Sequence, residues 1–422
     1  MKRLFLGAGD RFIGDASRGR LAPRIGASPM RHAENLRSPG QLLVLVVVVI
    51  VGCCLGPAAG PAFASHVNCG DTVTGDTALD SDLVDCPGNG IVIGADDVTL
   101  DLNGHTIDGD GVLGCDEFYA CDFGVDNTGG YDGVTIENGS IRDFATAVFV
   151  LDAGDNRLRR LSASHNILGG VLLIASPHAR VEHTSISANG LTTDQAGLIV
   201  FDSSEVLIDG NSVRDNGDIG MFLQGVDDSR VEGNSVSGNP EAGVILDGTR
   251  NEVSGNRASK NGDGISVGGD GNTIVGNRVS DSFACPDGCG AGIGSTGGTG
   301  NLIARNFVAR ASRAGIWIAD FEEEGGLPEI DNVVERNVVV DAEIDGVLVE
   351  STVTDTLLKR NIAIGAGDDG IDVDSTTTSL RRNTANGNGD LGIEAVAGVT
   401  DLGGNRASGN GNPLQCQNVF CQ

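Results

Sequence analysis

Bulky filler is scarce in this sequence: aromatic residues make up 4 % of it, with one Trp, two Tyr and 13 Phe. A chain of 422 residues with so few large side chains fits stacked thin layers better than a globular core. Basic residues are also few. Residues 65–422 hold 20 Lys/Arg against 55 Asp/Glu, a net −35. Phosphate backbones would be repelled, which excludes nucleic acid as a natural partner, whereas a soluble, exported protein with an affinity for cations fits the balance. Soft ligands are few as well, with three Met in the chain. The main apolar run, residues 42–51, is too short to span a bilayer, so no membrane span is expected.

That run follows Arg31 and Arg37 and ends at Ala62-Phe63-Ala64, a small-residue cleavage site. Residues 1–64 therefore read as a secretory signal peptide, oversized enough that a start at Met30 is an alternative. Ile50-Val51-Gly52-Cys53 also resembles a lipoprotein cleavage box. Eight cysteines remain beyond it, in sequence-local pairs: Cys69 with Cys86, Cys115 with Cys121, Cys285 with Cys289, and Cys416 with Cys421. An even, clustered set after an export signal predicts disulfides, since no second pair stands close enough to Cys285 and Cys289 for a zinc site.

What the chain has in quantity is glycine, 65 residues, and a repeat. The cleanest copy is Gly370-Ile371-Asp372-Val373, followed by Leu380 and then Asn383-Thr384-Ala385. This template recurs at 21 to 24 residues, the mark of a solenoid. Aligned on Asn383, thirteen bend positions run from His105 to Asn405, and nine of them are Asn. The position three earlier is always apolar, from Leu102 to Leu402, and the position two later is always Ile, Val or Ala. Alternate strand residues face opposite sides, so Ile371 and Val373 point inward and Asp372 outward. A repeat of this length cannot bury its own apolar face, but stacking does so, and asparagine amides can join one rung to the next. The expected architecture is all-β: a parallel β-helix of about 13 rungs of about 22 residues. Its segments are the helix at 90–410 and a disulfide-closed cap at 411–422.

The Gly-Ile/Val-x-Val and Asn-x-Val/Ala repeats, with Val98-Thr-Leu-Asp-Leu-Asn-Gly-His-Thr-Ile107, resemble the right-handed parallel β-helix proteins of the pectin-lyase-like superfamily, especially the NosD-like repeat proteins. The resemblance implies a right-handed coil, an N-terminal cap, here at 65–89, and a role in binding or cleaving polysaccharide, and the signal peptide makes this a secreted or cell-surface protein. These motifs speak for fold and hardly for activity.

Insertions interrupt the rungs between His105 and Gly124, Thr184 and Gly197, Asn277 and Gly292, and Gly315 and Asn337. All four flank one strand face, and insertions on one side of a solenoid often frame a binding face. The outward residues of that strand are Phe149, Leu172, Ile199, Phe222, Ile245, Ser266, Gly294, Trp317, Leu348, Asp372 and Glu394. The stripe from Phe149 to Ile245 is apolar, and it is expected to be covered by a loop, to bind a ligand or to pair two copies of the chain. Trp317 and Phe222 are candidate binding residues, because an aromatic ring can stack on a sugar. Packing under the loop at 319–330 is the competing explanation for Trp317.

Beyond Trp317 the face turns acidic, with Asp345, Glu350, Asp368, Asp369, Asp372, Asp374 and Glu394. Crowded carboxylates have raised pKa values or hold a cation, and oxygen-rich sites suit Ca²⁺. Asp345, Asp369, Asp372 and Asp374 are therefore the candidate metal ligands, and Glu350 and Asp374 further binding residues. A simply solvated acidic face is the bland alternative. Paired carboxylates also serve glycosidases. Gly367-Asp368-Asp369 is similar to the Gly-Asp-Asp of polygalacturonases, but the rest of that family's signature is missing, and Asp263 and Asp345 stand at the same place in other rungs. Ser176-Pro177-His178 is similar to the Asp-Pro-His of mannuronan C5-epimerases, with Ser in place of the Asp. For a lyase, Arg313 is the candidate base beside Ca²⁺, with Asp369 and Asp372 as acid catalysts. The NosD resemblance also raises copper at His165, His178 and His183, which the scarcity of soft ligands disfavours. Three functions follow: binding of a polysaccharide along this face, a polysaccharide lyase or glycoside hydrolase, and a structural rod at the cell surface.

Overall fold

Every rung places its Gly-Ile-x-Val segment in one sheet and the two short segments around its bend in another. In the computed structural model, which describes residues 64–113, 121–190, 195–286, 288–319 and 328–422, all elements are strands. Fourteen of them, from Asp71–Val73 to Ile393–Ala395, form one parallel sheet, and 27 form a second. The leader at 1–63, the possibility of a start at Met30, the lipoprotein box, Cys115 and the loop residues 320–327 lie outside the described residues. No helix among the described residues is long and apolar enough to cross a membrane.

The chain is thus an all-β parallel solenoid. The strands begin before residue 90: Asp71–Val73 pairs with Ile91–Ile93, so the segment taken as a cap already forms a rung. That accounts for the fourteenth strand. Disulfides join Cys69 to Cys86, Cys285 to Cys289 and Cys416 to Cys421.

Inward ladders of Ile, Val and Leu build one continuous core, with Ile371, Val373, Leu380 and Ala385 all buried. The strand glycine is there because the rungs approach too closely for a side chain. A Cβ on Gly370 would stand 2.6 Å from Gly392 O and 2.7 Å from the Ala385 Cβ. Bend asparagines tie the rungs together. Asn337 Nδ2 donates to Ile303 O and to Asn361 Oδ1, while its own Oδ1 accepts from the backbone N and Nδ2 of Asn306. With the amide fully used, its burial carries no desolvation penalty.

Two details of the repeat differ from expectation at its ends. Ile136 pairs with Leu100 rather than Leu102, because the first bend is two residues longer. Leu380 pairs with Asp401, which leaves Leu402 50 % exposed.

Two further ladders went unread in the sequence. One runs Asn166, Asn189, Asn216, Asn239, Asn261, lapses, and resumes at Asn388 and Asn410. The other uses mixed types, among them Ser229, Asn251, Asn272 and Asn301.

Candidate functional site

The outward register of the smaller sheet is as expected. Phe149 pairs with Leu172, then in turn come Ile199, Phe222, Ile245, Ser266, Gly294, Trp317, Leu348, Asp372 and Glu394. Its two halves have different surroundings.

In the first half the stripe is not a free apolar face. Phe149 is 1 % exposed, edge-on to Phe123 with ring centroids 5.0 Å apart, and it packs with Cys121, Ala145 and Leu172. Ile245 is buried beside Ala242, Ile219 and Ala196, and Phe222 is half-buried with its ring edge-on to Phe201. The ends of the stripe, Phe149 and Ile245, are covered within one chain, while Ile199 and Phe222 between them stay partly exposed.

Trp317 is also packed rather than open. It is 6 % exposed among Ala291, Ala314 and Ala319, its Nε1 donates to Glu350 Oε1 at 2.7 Å, and the Arg313 guanidinium lies 3.9 Å from the ring centroid. That stacking leaves no ring face for a sugar. Arg313 also donates to Gly288 O at 3.0 Å and stands 3.9 Å from Glu350. These contacts fix it as a positioned cation, and guanidinium keeps its proton in proteins.

The acidic half is different in kind. Asp345 Oδ1 accepts from the Asp369 backbone N–H at 3.1 Å, and Asp369 Oδ1 accepts from that of Leu391 at 2.6 Å. Asp263, in the same slot of an earlier rung, accepts from Gly290 and Ala291. These aspartates bridge rungs, so burial of Asp345 and Asp369 has a structural cause. Its electrostatic result is unusual. Burial first, then the charges of Asp368, Asp374 and Glu394, push Asp345 up to about 6. Asp372, half-buried and facing outward, is pushed up to about 7 by burial and then by Asp374, Asp345, Glu394 and Asp368. Asp369, 4 % exposed, is raised by burial and then by the Glu394 side chain beside it.

Carboxylate oxygens of Asp345, Asp368 and Asp369 lie within 4.8 Å of one another, as do those of Asp369, Asp390 and Glu394. Asp345 and Asp369 of the expected metal set thus come together, joined by Asp368, while Asp372 and the exposed Asp374 belong to neither group. Three carboxylates carry six oxygens, so a Ca²⁺ at either group would complete its shell of six to eight with water or backbone carbonyls. Gln417 closes the row, its Nε2 donating to Glu394 Oε1 at 3.0 Å. Gln417, Asp368 and Asp390 had no proposed binding role in the sequence, because their proximity depends on how the final rungs and the tail fold back.

Comparison with known proteins gives the family. The model of the right-handed beta helix region matches residues 66–226, 123–279 and 223–388. Comparison with curated proteins returned no match. Among solved structures, the chain is similar to the mannuronan C-5 epimerase AlgE4 A-module of Azotobacter vinelandii, at 11 % identity over 81 % of this chain and 90 % of that one, with a TM-score of 0.46. The AlgE6 A-module of the same organism gives 16 % identity over 79 % and 80 %, at 0.43. DFA-IIIase of Arthrobacter chlorophenolicus A6, in complex with GF2, gives 13 % identity over 65 % and 84 %, at 0.37. The match of the family model over most of the chain, on a parallel solenoid with the expected register, makes this chain a member of the right-handed β-helix family.

Proposed function

We propose that the chain is an exported protein that binds a polysaccharide along the outward strand face from Leu348 to Gln417. The observation that supports this reading is the single file of partly exposed hydrogen-bonding groups, Asp372, Glu394 and Gln417, one to a rung beside Leu348. A linear sugar chain lying on the axis would meet a polar group at each step of about 4.8 Å. Asp372, raised to about 7, is both donor and acceptor near neutral pH, which suits sugar hydroxyls. The surrounding carboxylates repel uronates unless cations bridge them, so a neutral glycan is the favoured ligand. The disulfides fit an oxidising compartment, in keeping with export.

The second reading, a glycoside hydrolase, is favoured by the carboxyl groups of Asp369 and Glu394, whose oxygens lie within 4.8 Å of each other. Burial raises Asp369, which suits a general acid with a second carboxyl beside it. The two readings separate experimentally. A glycan array probed with wild type and Asp372→Asn tests binding, and reducing-end release by wild type, Asp369→Asn and Glu394→Gln tests hydrolysis. Binding lost in Asp372→Asn without product release supports the first. No glycan bound across a broad panel removes it, and the structural rod then stands.

A further inference from the structure

The opposite side of the solenoid changes character over four consecutive rungs. The residue just before the bend asparagine adopts a left-handed conformation in every one of these rungs, and glycine supplies it at Gly210, Gly233, Gly255, Gly276 and Gly404. In the rungs between, Arg305, Arg336, Arg360 and Arg382 hold it, at φ 57, 56, 58 and 57. Glycine adopts this conformation freely, and Asn, Asp and His are the usual exceptions, so arginine four times in succession keeps backbone strain that glycine would remove. Strain retained at a repeated position points to a use for the side chain.

All four side chains are exposed. Among the described residues Arg305, Arg360 and Arg382 make no ion pair, and Arg336 reaches only Glu335 at 3.4 Å, which Lys359 also holds at 3.1 Å. Arg250 and Arg310 pair with Asp228 and Asp281, while Arg180, Arg230, Arg257, Arg278, Arg381 and Arg406 make no ion pair among the described residues either. What sets the four apart is their succession, one exposed guanidinium on each of four neighbouring rungs.

Three of these rungs carry apolar residues beside the row. The column after the bend, Ser212, Ser235, Arg257 and Arg278 in earlier rungs, becomes Phe307, Val338 and Ile362, and returns to a polar Thr384 beside Arg382. The next column becomes Ala309, Val340 and Ile364, and the column before the bend is Leu302, Val333 and Leu357. Ile362 and Ile364 are 37 % and 42 % exposed.

We propose that the corner formed by Arg305, Arg336, Arg360 and Arg382, with its aliphatic columns, binds a linear acidic polysaccharide lying along the solenoid axis. The cations repeat once per rung, about 4.8 Å, a sparse spacing that suits one carboxylate per sugar, and the aliphatic columns take the C–H faces of the rings. An anionic membrane plane fits less well. Exposed Asp331 and Asp355 border the row on one side and Asp341 on the other, so the positive charge is confined to a line. Single-stranded nucleic acid wants aromatic platforms, and Phe307, the ring on this face, already lies under Arg278 at 4.3 Å.

The test uses the full secreted chain and polygalacturonate, in about 0.15 M salt, with its methyl-esterified form, a DNA oligonucleotide and phosphatidylserine vesicles as alternatives. Wild type is expected to bind polygalacturonate. The quadruple Arg→Gly variant, carrying the residue other rungs use, is expected to bind at least ten-fold more weakly without a lower Tm. Arg214→Ser, which removes an exposed cation of an earlier rung, is expected to bind it as wild type does, which separates the row from basic charge in general. Unchanged binding by the quadruple variant overturns the proposal. So does equal binding of the neutral ester, preference for DNA or vesicles, or no binding of polygalacturonate.

Discussion

The two halves of the outward strand face share one backbone and differ in almost everything else. From Phe149 to Ile245 the column is aliphatic and aromatic and largely covered, and from Asp372 to Glu394 it is acidic and partly open. Both keep the same pairing register. In a solenoid the inward ladder alone specifies the stacking, so the outward column is free to be core in one place and surface in another. A stripe of apolar residues therefore says that something covers it, not that a partner does.

An exchange of residues tests this contrast most severely. Phe149→Asp would bury an unpaired carboxylate and is expected to lower stability by about 4 kcal/mol or more, or to prevent folding. The reverse change, Asp372→Phe, is expected to fold with a change of about 1 kcal/mol. Chemical denaturation measures both, and equal losses would erase the distinction between the halves.

Trp317 sits where the two halves meet. Trp317→Phe removes the donor to Glu350 and is expected to cost about 1.5 kcal/mol, because it leaves that carboxylate without its N–H donor. If stability is unchanged and glycan binding is lost, Trp317 belongs to the binding face and not to the packing.

Titration sharpens the acidic half. Asp372 keeps its proton in the folded state up to about 7 and from 3.8 unfolded, so across that window the native state binds more protons and stability falls as pH rises. Relative to wild type, Asp372→Asn is expected to be more stable at pH 8, on the order of 1 kcal/mol after allowance for partial exposure, and to differ little at pH 4. Thermal melts at the two pH values check the sign, and a gain confined to pH 4 would reverse the account.

The smallest expected effect is that of calcium. Protons and Ca²⁺ compete for Asp345, Asp368 and Asp369, so any rise in Tm at millimolar Ca²⁺ belongs at pH 8 and not at pH 5. No shift at either pH removes the metal reading.

The outward register from Phe149 to Glu394 was legible in the sequence because period-two alternation and a glycine mark each strand. The main asparagine ladder was legible because one residue type recurs. The other ladders were not, since one passes through Val206 and Ser229 before its asparagines begin and the other lapses through Ser282 and Ala342. Packing was one of the two readings of Trp317, but the Arg313 guanidinium stacked on its ring was not legible, because no pattern in the sequence brings the two together. The bridging role of Asp345 and Asp369 escaped because their partners are backbone N–H groups one rung on, which no side-chain pattern reveals.

The tail after the last rung deserves a final consequence. Gln415 Oε1 accepts from the backbone N and Nδ2 of Asn410, where the next asparagine of the ladder would stand. Cys416 and Cys421, bonded to each other, bridge back to Ile393 and Asn405. A stack whose every layer templates another has no intrinsic stopping point, and an open last layer is an invitation to fibre growth. The glutamine and the closed loop mimic one more layer and so cover the edge that the last rung would otherwise leave open.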